Sequence, residues 1–304
     1  MAGSPADRRT RLTVLVALAA NLVIAVAKTL GGLASGSPAL LSEAAHSVAD
    51  SLNEVFLLAA LRRSRRPPDA RHPFGYGKER FFWALLAAVG IFVMGGCFSF
   101  YQGLSSLRRD DHDSPESYTA GLIVLGVAFV AEATSLTRAL HQARGEQRGS
   151  LDPALRTVIA EDGTAVLGVT LAMTGMGLRL ATGSVVWESA ASLGIGLLLV
   201  YVAFRLGRDA RDQLIGEAVD PELRRELVAF LLHQSEIDDV AELLTMRLGM
   251  DSVLVAARVD LAPGIDSERV EEVSMRIREA MADRWPQADQ VFLDVTNAPP
   301  RAGP

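Results

Sequence analysis

The sequence predicts an α-helical membrane protein in which six transmembrane helices precede a cytosolic α+β domain of αββαβ order. Three observations predict it. Residues 1–205 hold six long apolar runs, whereas residues 208–297 have the charged composition of an ordinary soluble domain. Each run reaches the ~20 residues that a helix needs to cross the hydrocarbon of a bilayer. The connections between the runs alternate in charge, as the two sides of a membrane demand. The expected organisation is a cytosolic tail at 1–11, a six-helix domain at 12–207, a cytosolic domain at 208–297 and a disordered tail at 298–304.

The runs lie near 12–34, 38–61, 80–104, 117–141, 153–180 and 184–206. The opening MAGSPADRRTR sets basic residues before an apolar stretch, as a signal peptide does. That stretch continues well past a signal-peptide core and more follow it, so a retained first helix is expected. The first gap, GGLASGSP, is short and uncharged, and the second, RRSRRPPDARHPFGYGKER, is strongly basic. The third, RRDDHDSPES, is short with acid in excess; the fourth, RALHQARGEQRGSLDPALR, is basic again; the fifth, RLATGS, is short. With RLGRDARDQ after the last run, Lys and Arg gather on one side, which places both termini in the cytoplasm. An even number of helices agrees, since it puts both termini on one side. Gly31, Gly32, Gly95, Gly96, Gly175 and Gly177 allow close helix approach, either for a rocking bundle or for simple packing.

In the soluble part, residues 220–234 have helical apolar spacing, with Asp220 as N-cap and Pro221 in the first turn. VAELLTMRLG and SVLVAARVDL alternate apolar and polar residues as strands do. Residues 266–284 are amphipathic and helical, and DQVFLDVTN alternates again. This order suits a small open-faced sandwich of ferredoxin-like type.

Composition excludes several functions. A formal net charge of −6 gives no basic surface for nucleic acid. The single cysteine, Cys97, rules out an intrachain disulfide and any multi-cysteine metal site, and its apolar surroundings predict a packed core residue. There is no nucleophile–base pairing, Gly-rich phosphate loop or HExxH, so an enzyme is not expected and no prosthetic cofactor is implied.

The second run, LLSEAAHSVADSLNEVFLLAA, interrupts its apolar pattern with Glu43, His46, Asp50 and Asn53, spaced three, four and three. Residues at those intervals share one helix face. Ionisable groups are costly in a membrane helix and face a bundle interior or a water-filled cavity. His46 and Asp50, one turn apart, can aim a ring nitrogen and a carboxylate at one point, half of a four-ligand site for a divalent ion. The fifth run supplies the other half with Glu161 and Asp162 in TVIAEDGTAVLGVTLAM. Two uncompensated carboxylates at membrane depth repel each other; a cation or protons between them resolves this, and the two can alternate. Glu132 in the fourth run is as well explained by a satisfied helix–helix hydrogen bond. Glu43, near the entry GSPALLSEA, reads as an interfacial charge in the first turn, and Glu54 lies off the stripe toward the cytoplasmic end.

Six runs, an αββαβ domain, HSVADSLN on the second helix and HPFGYGKER opening the third together resemble the cation diffusion facilitators, metal-exporting relatives of the animal zinc transporters. The resemblance covers nearly the whole chain. It implies a transport site with two ligands on helix two, falling on His46 and Asp50, and a His and an Asp one turn apart on helix five. The Asp falls on Asp162. The His position falls on Val158, which cannot bind metal, and Glu161 is the substitute; adjacent helical residues diverge by about 100°, so Glu161 needs a local distortion or longer reach. This AEDGTAVLG form resembles a subgroup with Glu-Asp in place of His-x-x-x-Asp. The family's peripheral site matches at Asp69 and His72, but Tyr76 stands where a second His lies, and a structural turn is the preferred reading. His233 alone remains in the cytosolic domain and reads as a surface residue.

The implied function is efflux of a divalent metal, zinc first, in exchange for protons by alternating access through the membrane domain. The cytosolic domain would serve regulation and dimerisation in a homodimer. Manganese, iron(II) or cobalt suit the oxygen-rich ligand set; a non-transporting metal sensor or scaffold is the other class. The Ala- and Arg-rich composition without an organelle-targeting leader suits a bacterial plasma membrane.

Overall fold

The computed structural model describes residues 5–108, 115–145 and 153–296. Expectations for most of the third loop, the middle of the fourth and the final tail fall outside the described residues, as does the side chain of Val158. The chain divides into two compact units: Met1–Ala59 with Trp83–Arg208, and Ala60–Phe82 with Asp209–Pro304.

The first unit is made from six long helices. They are α1 (Pro5–Ser35), α2 (Pro38–Arg63), α3 (Glu79–Ser106), α4 (Pro115–Gly145), α5 (Pro153–Thr182) and α6 (Val186–Ile215). Five of them, all but α2, are long and apolar enough to cross a membrane. The exception has a plain cause: α2 carries Glu43, Asp50 and Glu54 within its length and ends on Arg62 and Arg63. Apolar residues of α2, α4, α5 and α6 form one core, including Leu40, Leu125, Val169, Met176, Ile195 and Leu199.

Helix α3 winds into a π-helical turn at Ile91–Cys97. Gly95 and Gly96 there lie against α6 so closely that a Cβ would come within 2.7 Å of Leu199 and 2.8 Å of Val200. Close approach also holds at Gly32 and Gly175, whereas Gly177 faces open space. Cys97 corrects an expectation. It is exposed, not packed, because the π turn commits the two preceding glycines to α6 and leaves the thiol on the outer face.

The second unit contains α7 (Pro221–Leu232), β1 (Ile237–Arg247), β2 (Val253–Leu261), α8 (Ser267–Arg284) and β3 (Gln290–Val295). The sheet order is β1-β2-β3. β1 runs antiparallel to β2 with Leu243 opposite Ala257, and β3 runs parallel to β2 with Phe292 opposite Ala256. A parallel neighbour needs a crossover, and α8 provides it. Val240, Leu243, Val255 and Val259 cover one sheet face with Leu227 and Leu231 of α7 and Ile277 and Met281 of α8. The N-cap Asp266 accepts a hydrogen bond from the Arg269 amide at 2.9 Å. Asp220 occupies the N-cap of α7 but makes no cap bond; its carboxylate accepts from Arg247 at 2.7 Å instead. His233 is exposed at the end of α7.

Candidate metal centre

Helix α2 carries the polar stripe because its apolar pattern is broken at every third or fourth residue. His46 is 5 % exposed. Its Nδ1 lies 3.6 Å from Oδ1 of Asp50, too far for a hydrogen bond, and both ring nitrogens are buried without a hydrogen-bond partner. A neutral imidazole offers one donor and one acceptor, and burying both unpaired is costly. The pair is therefore close, aligned and unsatisfied.

On the facing helix α5, Glu161 is the acid that reaches α2. Its Oε1 accepts a hydrogen bond from Asn53 Nδ2 at 3.1 Å, which holds the carboxylate one turn beyond Asp50. Asp162 lies beside Ser135 of α4, with Oδ2 buried and unpaired. The divergence of neighbouring residues on a helix separates the two acids. Among the described residues, no three of His, Cys, Asp and Glu come close enough together to hold a metal ion. His46 and Asp50 are brought together, Glu161 approaches through Asn53, and Asp162 stands apart. Further along α2, Glu54 accepts from Asn21 of α1 at 2.9 Å.

Two buried networks escaped the reading of the sequence. In the first, Lys28 of α1 is fully buried and its Nζ lies 3.0 Å from both Glu43 of α2 and Glu132 of α4. This corrects the placement of Glu43 at the interface: it is 0 % exposed, since α2 begins at Pro38 and a cation from α1 meets the acid inside the bundle. Gly168 of α5 makes room for that carboxylate; a Cβ there would lie 2.2 Å from Oε1. Glu132 makes the helix–helix contact allowed for it through one oxygen, Oε1. Lys28 itself was the missed signal, a lysine inside NLVIAVAKTLGGL that demands an acidic partner. In the second network, Glu188 near the start of α6 is fully buried. It accepts hydrogen bonds from Ser37, from Tyr118 at 2.6 Å and from Arg179 at 2.6 Å.

The loop between α2 and α3 is organised by Asp69. One carboxylate oxygen accepts from the amides of Arg71 and His72 at 2.9 and 2.7 Å, and the other from the Tyr76 hydroxyl at 2.7 Å. These bonds, the tyrosine's first, hold the Asp69 carboxyl below its usual range, and the same contact pushes the Tyr76 hydroxyl up. His72 Nδ1 is 3.6 Å from Asp69, but both carboxylate oxygens are already engaged in the turn.

Comparison with known proteins adds a second line. Residues 14–215 match the family model of the cation efflux transmembrane domain. The chain is 33 % identical over 259 residues to the mitochondrial proton-coupled zinc antiporter SLC30A9 of Xenopus laevis, covering 81 % of this chain and 46 % of that protein. It is 32 % identical over 265 residues to metal tolerance protein C4 of Arabidopsis thaliana, covering 84 % and 58 %. The manganese efflux system protein MneP of Bacillus subtilis is 24 % identical over 304 residues, covering 96 % and 97 %. The chain thus spans about half the length of the first two relatives and nearly all of the third.

Proposed function

This chain belongs to the cation efflux family, and on that premise we propose that it exports a divalent metal ion across a membrane in exchange for protons. The observation that carries the reading is buried His46 beside half-buried Asp50, the imidazole having no hydrogen-bond partner among the described residues. Such a pair is costly unless something from outside completes it, and a metal ion does so. Asp162, once α5 moves toward α2, and Glu161, already bonded to Asn53 of α2, complete the ligand set. Ligands must lose protons to hold metal, and imidazole changes charge near neutral pH. A site opening alternately to each side would then carry metal outward and protons inward.

The proposal includes α2 as the sixth membrane span. Its acids are tolerable there because Lys28 neutralises Glu43 and Asn21 binds Glu54. The basic connections place both termini in the cytoplasm of a cell membrane, with 12–207 as the transport domain. Residues 208–297 would be a regulatory and dimerisation domain of ferredoxin-like type in a homodimer. Zinc is the first substrate, as the antiporter relative's name supports. Manganese is the second, favoured by the oxygen-rich ligands and by the relative named for manganese efflux. The peripheral Asp69–His72 pair is read as a turn.

The test is metal uptake into proteoliposomes that carry a proton gradient, with Zn2+ and Mn2+ offered separately. Uptake by the parent chain and its loss in Asp50→Ala and Asp162→Ala are expected. Absence of uptake, or variants that transport as well as the parent, would sink the proposal.

A further inference from the structure

The triad of Lys28, Glu43 and Glu132 supplies none of the ligands named above, yet it is buried next to them. Glu43 stands one turn before His46 on α2. Asp50 lies within electrostatic reach of both Lys28 and Glu43, as Glu132 does of His46. With both acids ionised, one ammonium facing two carboxylates leaves one negative charge over. Among the described residues, Oε1 of Glu43 and Oε2 of Glu132 are buried with no hydrogen-bond partner to disperse it. Holding helices together needs only one acid for the lysine, and the protein keeps two. In a medium of low dielectric a fixed charge acts strongly on its neighbours.

We infer that Lys28, Glu43 and Glu132 are positioning residues: a fixed negative charge that sets how tightly the His46–Asp50 site holds its divalent ion, without either glutamate touching that ion. The inference deepens the transport reading and rests on it. The lysine keeps the triad from carrying two negative charges, which would bind the ion too firmly to release. The second carboxylate keeps it from being neutral.

The full-length protein, purified, is titrated calorimetrically with Zn2+ and with Mn2+, and the same preparations are assayed for uptake in vesicles. Glu132→Gln and Glu43→Gln each cancel the surplus charge while leaving Lys28 an acid to pair with. Both are expected to raise Kd and KM by about tenfold, to a similar extent although they sit on different helices, with kcat retained. Glu132→Asp keeps the charge and should bind as the parent does. A parental Kd in both glutamine variants overturns the inference. So does an aspartate variant as impaired as the glutamine one, because geometry and not charge would then be what matters. A parent chain that neither binds nor moves either ion takes down the transport reading and this inference together; binding and uptake in the parent with no response to the triad's charge takes down the inference alone.

Discussion

Glu43 and His46 lie one turn apart on the same helix, both buried, and the protein treats them in opposite ways. Glu43 is held by Lys28 at 3.0 Å. His46 has no hydrogen-bond partner among the described residues, and its neighbour Asp50 stays 3.6 Å away. A buried ion whose partner is built in belongs to the fold, since removing the partner strands a charge. A buried polar group without a partner is costly to the fold and is best understood as waiting for one. Sequence spacing alone ranks these residues equally; the partners separate them.

The contrast is most directly broken at Lys28. Lys28→Met leaves Glu43 and Glu132 buried without their cation, and the expected loss is about 3–5 kcal/mol of stability, read from thermal unfolding in detergent. A variant as stable as the parent would mean that the triad is not a fold element. His46→Gln should do the reverse, changing stability by about 1 kcal/mol or less while abolishing metal binding by calorimetry. Between the two, Asn53→Ala removes the bond that holds Glu161. An effect of roughly 1 kcal/mol on metal affinity is expected, and a far larger one would move Glu161 from the margin of the site to its centre.

The second unit offers the same comparison. Glu236 is gripped by Arg276 at 2.6 Å and Arg269 at 3.0 Å. The Arg276 guanidinium foremost, with the Ser235 hydroxyl, holds its carboxyl at about 2 against an ordinary 4.5. A carboxyl depressed by folding contributes stability that is full above its unfolded value and is lost as pH falls through 4.5 toward about 2. Glu236→Gln should therefore flatten the decline of stability with acid below about pH 4.5. Trp285 fluorescence in a chain with Trp83 and Trp187 replaced by Phe would report it. An unchanged slope would deny that this pairing is built into the fold.

Much of the architecture was legible because it is local. Apolar runs located all six long helices, and alternation located the strands with Leu243 and Val255 facing inward. What failed was long-range. Lys28 and Glu132 are 104 residues apart in the chain, and no periodicity links them. Glu188 likewise gathers contacts distant in sequence, from Ser37 just before α2, Tyr118 of α4 and Arg179 of α5. At the candidate site, spacing placed His46 and Asp50, which are 3.6 Å apart, on one face because both lie on one helix. It could not say which of two adjacent acids on α5 would face them, since that depends on how α5 is rotated about its axis. Cys97 was misread because a π turn shifts the helix face, and no residue type announces such a turn.

The tight seat of Glu43 against Gly168 ties two distant positions into a single heritable trait. Any side chain at 168 would occupy the space of Oε1, so the carboxylate that holds Lys28 through its other oxygen would have to shift. Loss of the glycine should therefore be easier after, or together with, loss of the acid. The order of the two steps matters: shortening position 43 first opens the space that a methyl at 168 can fill, whereas the reverse order passes through an overfilled intermediate. Descendants of this chain should show the two positions changing as a pair.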